Sequence, residues 1–91
     1  MRDPRYRADL SRAAARQLRR LPPGDAAALR GPIFALGLEP RPPGCLTLAS
    51  SELWRLRFGS FRILYAIDDA ASIVVIVFVG RRSESTYRRV R

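Results

Sequence analysis

The sequence contains no histidine and no lysine. It therefore lacks the side chain that most often moves protons near neutral pH, and the flexible amine that serves as a Schiff base or a point-charge phosphate ligand. Its one cysteine, Cys45, excludes an internal disulfide, and the place of Cys45 after Pro42-Pro43-Gly44 reads as loop rather than as a thiol site. The longest uninterrupted apolar run, Ile73 to Val79, is far too short to cross a bilayer, so no membrane association is expected. A secretory signal needs an apolar stretch soon after the start. Residues 1–20 carry Arg2, Arg5, Arg7, Arg12, Arg16, Arg19 and Arg20 instead, which predicts a cytoplasmic protein. Acidic residues are also scarce.

Against eight acidic residues stand seventeen basic ones, every one of them arginine, which leaves a net charge of +9. Codon usage in a GC-rich genome accounts for arginine in place of lysine, but not for the excess of charge. Excess positive charge destabilises a compact domain by self-repulsion, so a polyanionic partner is implied, and nucleic acid fits better than a membrane. At 91 residues the chain has room for one domain, spanning 1–91, with one modest core and no separate binding module.

The pattern begins with a short strand within Pro4 to Leu10, after which Ser11 is placed to cap a helix running to about Arg20. Leu10, Ala14, Leu18 and Leu21 fall on one side of that helix and the arginines mostly on the others. Pro22-Pro23-Gly24 ends it. Asp25 is then expected to cap a second helix with Ala26, Leu29, Ile33 and Leu36 on one face, kinked or shortened at Gly31-Pro32. Residues 37–44 have loop composition, and from Leu46 the period changes to that of a strand. Leu53 to Phe58 and Phe61 to Ile67 alternate around Gly59-Ser60, a hairpin signal. After a turn at Asp68-Asp69-Ala70-Ala71, the run Ile73 to Val79 suits a central strand covered on both faces. The expected fold is α+β, in the order β-α-α-β-β-β. Two antiparallel N-terminal helices should pack on one face of a small, twisted, mainly antiparallel sheet.

With Gly59-Ser60 as the turn, Phe58 opposes Phe61, Arg57 opposes Arg62, Leu56 opposes Ile63, Arg55 opposes Leu64 and Trp54 opposes Tyr65. Alternation sends Trp54, Leu56, Phe58, Phe61, Ile63 and Tyr65 to one face, and Arg55, Arg57 and Arg62 to the other. Directly opposed like charges are unfavourable in a sheet, so the patch is either a solvated face with splayed side chains or a site completed by an anion. Arg81 and Arg82 leave the last predicted strand, and Tyr87 follows on a tail able to fold over the patch.

The stretch Trp54-Arg55-Leu56-Arg57-Phe58-Gly59-Ser60-Phe61-Arg62-Ile63-Leu64-Tyr65, followed by Val79-Gly80-Arg81-Arg82 and Tyr87, resembles the RelE/ParE toxin superfamily, in particular its RelE-like members. The upstream helices and the Glu39-Pro40 to Gly44 loop fit the same pattern. The resemblance implies a toxin of a bacterial type II toxin–antitoxin system: a metal-independent endoribonuclease, or mRNA interferase, that needs no cofactor and cuts messenger RNA on the ribosome by attack of the 2′-hydroxyl. It implies catalytic roles for Arg57, Arg62, Arg82 and Tyr87, and RNA contacts from Arg55, Arg57, Arg62, Arg81 and Arg82. The implied partners are a cognate antitoxin, in a toxin–antitoxin hetero-oligomer, together with messenger RNA and the ribosome.

The chain departs from that pattern where relatives place Lys on the first hairpin strand, or His or Glu as a base. A guanidinium stays protonated at neutral pH and does not accept the proton. Tyr87, Glu84, Glu52, water and groups of the ribosome all stay open for that task, and Tyr87 is equally able to stack on an unpaired base. A metal-dependent nuclease fits poorly, since the adjacent acidic pair Asp68-Asp69 falls at a predicted turn. The rival reading is ParE-like, a non-enzymatic toxin that binds and inhibits DNA gyrase. A third is a relic that binds only its antitoxin and DNA.

Overall fold

In the computed structural model, which describes residues 5–49 and 51–81, the chain runs through β1 (Arg7–Leu10), α1 (Arg12–Arg20) and α2 (Pro23–Leu38). It continues with β2 (Leu46–Thr47), β3 (Trp54–Phe58), β4 (Phe61–Asp68) and β5 (Ile73–Arg81). The five strands form one sheet in the order β1-β5-β4-β3-β2. β2 to β5 are antiparallel neighbours, while β1 lies parallel to β5 at the edge, with Arg7 opposite Ile73 and Leu10 opposite Ile76. Parallel neighbours need a long crossover. The chain reaches β5 from β1 through both helices and the meander, and α1 packs on β5 while α2 packs on β1 and β5.

Ser11 caps α1 as expected, its Oγ accepting from the Ala14 N–H at 3.1 Å. Two expectations for α2 are corrected. It starts at Pro23, with Asp25 inside the first turn rather than at the cap. Proline at the first helical position loses only an N–H that would be unpaired there, and the Asp25 charge suits the positive end of the helix. The helix also runs through Pro32 to Leu38 without being shortened. The residue before a proline is normally kept out of the helical region by its Cβ, and here that residue is Gly31, which has none. Leu29 and Leu36, both fully buried, hold the helix to the core on either side. Leu10 belongs to β1 rather than to the apolar side of α1, and it is exposed.

The hairpin has the expected register throughout, from Trp54 opposite Tyr65 to Phe58 opposite Phe61. Gly59 has φ +57° and Ser60 a negative φ, the type II′ arrangement that glycine permits at the first central position. The core lies between this face and the helices, with Tyr65, Ile63, Leu29, Leu36, Ile76 and Val74 as its largest fully buried side chains. Phe58 is a correction, since it lies at the hairpin tip, 41% exposed. β5 is an interior strand between β1 and β4, yet it is not covered on both faces as expected. Ile73, Val75 and Phe78 on its other face are only half-buried, because both helices lie on one side of the sheet.

Two polar contacts tie the layers together. The Val79 N–H donates to Gln17 Oε1 at 2.8 Å, so α1 satisfies a β5 amide beyond the end of β1. Gln17→Leu should lower stability by about 1–3 kcal/mol, the cost of an orphaned amide, read from the urea midpoint. An unchanged midpoint would show that water replaces the glutamine. On the opposite side, the Tyr65 hydroxyl donates to the Pro40 carbonyl at 2.8 Å, and burial pushes the Tyr65 pKa far up. Arg41 joins Asp69 through two bonds, 2.9 and 3.3 Å, and lies 5.2 Å from the Trp54 ring centroid, while the Tyr6 hydroxyl donates to Asp69 at 2.6 Å.

The Arg41 and Tyr6 bonds hold the Asp69 carboxyl below its ordinary value. A carboxylate with a depressed pKa stabilises the fold above its unfolded pKa, and that contribution disappears as pH falls through the folded value. The stability gap between wild type and Asp69→Asn should therefore narrow below about pH 4, where unpaired aspartate protonates. A gap of equal size at neutral and strongly acid pH would contradict the clamp.

Candidate nucleic-acid interface

The face of the sheet away from the helices carries Arg55 and Arg57 from β3 and Arg62 from β4. Arg57 and Arg62 are directly opposed. On its other side Arg62 faces Gly80 of β5, which brings no side chain to the face. The same face continues in Leu64 opposite Phe78, then Ala66 opposite Val75, so it is cationic toward β3 and apolar toward β5. Alternation in the hairpin, enforced by the apolar residues buried on the helix side, is what aligns the three arginines.

Their environments differ. Arg57 is exposed, and Arg55 is half-buried with its Nε buried and without a hydrogen-bond partner. Arg62 is only 6% exposed, so of the two alternatives for the patch a splayed, solvated side chain does not hold for Arg62. It sits on the middle strand of the meander beside Leu64, itself 5% exposed. The ion pairs found among the described residues, Arg7–Asp9, Arg41–Asp69 and Arg81–Asp25, leave Arg55 and Arg57 without a carboxylate partner there. A planar guanidinium that is unpaired and partly desolvated is suited to phosphate, which it can grip through two oxygens.

Arg81 is placed elsewhere. It opposes Phe61 on the helix face, bonds Asp25 of α2 at 3.1 Å and lies 5.1 Å from the Phe61 ring centroid. The structure thus joins Arg55, Arg57 and Arg62 and separates Arg81 from them. Arg82, Glu84 and Tyr87 lie outside the described residues. Glu52 precedes β3, at the end of that strand remote from Arg57. Sequence reasoning missed the apolar partners Leu64 and Phe78 and the role of Gly80. The register of β4 against β5 would have shown them, but a register shift between Leu64 and Tyr65 breaks simple alternation. Cys45 is a free, half-buried thiol. Among the described residues no group of His, Cys, Asp and Glu is placed to hold a metal ion, and no helix is long and apolar enough to cross a membrane.

A parallel edge strand, two helices packed on the sheet and an antiparallel meander place the chain in the α+β class. Residues 3–86 match the family described as the ParE toxin of the type II toxin–antitoxin system, parDE. Among solved structures, the chain is similar to one in the RelBE2 toxin–antitoxin complex from Mycobacterium tuberculosis. The two are 34% identical with a TM-score of 0.78, over 88% of this chain and 100% of that one. The archaeal RelE–RelB complex from Pyrococcus horikoshii matches at 21% identity and TM-score 0.73, over 88% and 98% of the two chains. The intact E. coli RelBE complex matches at 18% and 0.74, over 87% and 99%. These last two speak for the fold alone. No curated protein sequence matches. The chain belongs to the RelE/ParE superfamily and is a RelE-like toxin of a type II toxin–antitoxin system.

Proposed function

We propose that the protein is a metal-independent endoribonuclease that cuts messenger RNA on the ribosome, with the arginine face of the β3–β4 hairpin as its site. The observation that carries this reading is the direct opposition of Arg57 and Arg62, with Arg55 beside them and no carboxylate paired to Arg55 or Arg57 among the described residues. In the reaction the 2′-oxygen bonds to the adjacent phosphorus and the bond from phosphorus to the 5′-oxygen breaks. The products are a 2′,3′-cyclic phosphate and a free 5′-hydroxyl. Charge grows on the non-bridging oxygens meanwhile. Arg57 and Arg62 would stabilise that charge with donors already in place, and Arg55 would hold a neighbouring phosphate.

Proton transfer needs other groups, because none of these guanidiniums accepts the 2′-proton. Tyr87 is assigned to the closing of the site, in proton transfer or stacking, with Arg82 as a further phosphate ligand. Glu84, Glu52 and groups of the ribosome are the remaining acceptors. A cognate antitoxin is the natural protein partner, since the 34% identical solved chain comes from a toxin–antitoxin complex. The protein acts in the cytoplasm in this reading.

One observation favours a second reading. The matched family is described by its ParE members, and the described part of the arginine face holds no His or Glu. A ParE-like toxin would use the same face to bind gyrase without chemistry. Salt separates binding to phosphates from other contacts, because each neutralised phosphate releases counterions. Affinity for a short single-stranded RNA should fall steeply with salt, and Arg57→Ala should flatten the logarithmic slope by about one unit. A slope that Arg57→Ala leaves unchanged would remove Arg57 from the interface.

A further inference from the structure

Gly80 of β5 is buried directly opposite Arg62, and the two helices tie β5 down on either side of it. Before Gly80, the Val79 N–H donates to Gln17 Oε1 of α1 at 2.8 Å. After it, the Arg81 guanidinium donates to Asp25 Oδ2 of α2 at 3.1 Å and lies 5.1 Å from the ring centroid of Phe61, the neighbour of Arg62 on β4. Phe61 and Arg81 form the last pair of the β4–β5 ladder, and ladder ends open more readily than their middles. This end also carries Arg57 opposite Arg62, whose like charges repel across the sheet. Global stability is a weak reason for the Asp25–Arg81 pair. Its side chains are 35% and 45% exposed, and ion pairs so open to water contribute little to the fold as a whole. Placement matters more. Asp25 lies in the first turn of α2, where the helix dipole favours its charge, and from there it reaches β5 one residue from the Arg62–Gly80 pair, on the other face of the sheet.

We propose that Asp25 and Arg81 are positioning residues for RNA cleavage: with Gln17 they clamp β5 around Gly80 and so hold Arg62 where charge develops on the scissile phosphate. The proposal rests on the RNA-cleaving reading. In this role Arg81 touches no RNA and acts through Phe61 and Gly80, the neighbours of Arg62. Binding and catalysis should respond differently to its loss. A long arginine side chain can follow a ground-state phosphate when the backbone beneath it shifts. Stabilising a developing charge needs donors already in place, and a misplacement of about 1 Å can cost about a hundredfold in rate. Loss of the clamp should therefore lower the maximal rate and spare RNA affinity.

The test uses the full chain, ribosomes programmed with an end-labelled message, and single-turnover cleavage over a range of protein concentrations. Asp25→Ala and Arg81→Ala should each lower the saturating rate about tenfold or more, and shift the half-saturating concentration by less than about twofold. Asp25→Glu keeps the carboxylate and should retain most of the rate. The double variant should be no slower than either single one, because both residues act through one contact. In the Arg62→Ala background, Asp25→Ala should cost nothing further. Binding of a short single-stranded RNA should keep its salt slope in Arg81→Ala, whereas a direct phosphate contact would flatten it by about one unit. A flattened slope, an unchanged saturating rate in Asp25→Ala, or a further loss in the Arg62→Ala background would each overturn the proposal. Amide hydrogen exchange of the RNA-free protein reads the clamp without the chemistry. Asp25→Ala should speed exchange at residues 79–81 about tenfold and leave residues 65–67 at the wild-type rate. If the wild type cuts no RNA, the nuclease reading fails and exchange alone decides the clamp. Unchanged exchange at 79–81 would overturn it, and so would faster exchange throughout the sheet, which would make Asp25 a stabiliser of the whole fold.

Discussion

Arg57→Ala and Arg62→Ala are each expected to lower RNA cleavage by about a hundred- to a thousandfold, the cost of losing one preorganised donor to a developing oxyanion. Their effects on the fold should differ. Arg57 is exposed at the hairpin tip, so its removal should leave the melt unchanged. Arg62 is 6% exposed on the central β4 strand, so its truncation should also lower the denaturation midpoint. Arg62→Lys sharpens the distinction, since it keeps the charge and loses the planar fork. Cleavage that stays near the alanine level in Arg62→Lys would assign the role to two-oxygen recognition. Normal cleavage by Arg57→Ala would take the hairpin face out of the chemistry.

Ile63→Ala should give the largest loss of stability, about 2–5 kcal/mol, as for other buried large-to-small changes. Ile63 is fully buried, pairs with Leu56 on one side and Val79 on the other, and belongs to the core cluster. Leu46→Ala is the matched control. Leu46 is 53% exposed on a two-residue strand, and its truncation should shift stability by less than about 0.5 kcal/mol. Equal midpoints for the two variants, by urea denaturation, would mean that the hairpin does not carry the core.

The hairpin was readable from sequence because two constraints agreed there. Alternation fixed which side chains share a face, and Gly59 fixed the turn, so one register satisfied both. Ser11 marked the start of α1 for a similarly local reason. The errors arose where distant residues decide the outcome. Asp69 looked like turn chemistry, and its neighbour Asp68 does accept from the Ala71 N–H. Asp69 does lie in that turn, its carbonyl accepting from the Ser72 N–H, but its carboxylate also binds Arg41 and Tyr6, partners that no local pattern connects to it. Arg81 looked like an extension of the arginine patch, until strand pairing put it opposite Phe61 and beside Asp25. The burial of Arg62 depends on strands to both sides of it, and only the β3–β4 register is marked by a recognisable turn. Pro32 inside α2 was misjudged because proline was weighed without the glycine before it.

The central claim is that the arginine face acts on messenger RNA. Mapping 5′ ends of messages after brief induction, with gyrase supercoiling measured in the same cells, tests it most directly. Wild type should create new ends bearing 5′-hydroxyls inside translated codons and stop growth, Arg57→Ala should do neither, and supercoiling should stay normal in both. Growth arrest with intact messages and inhibited supercoiling would contradict the account and establish the gyrase-binding alternative.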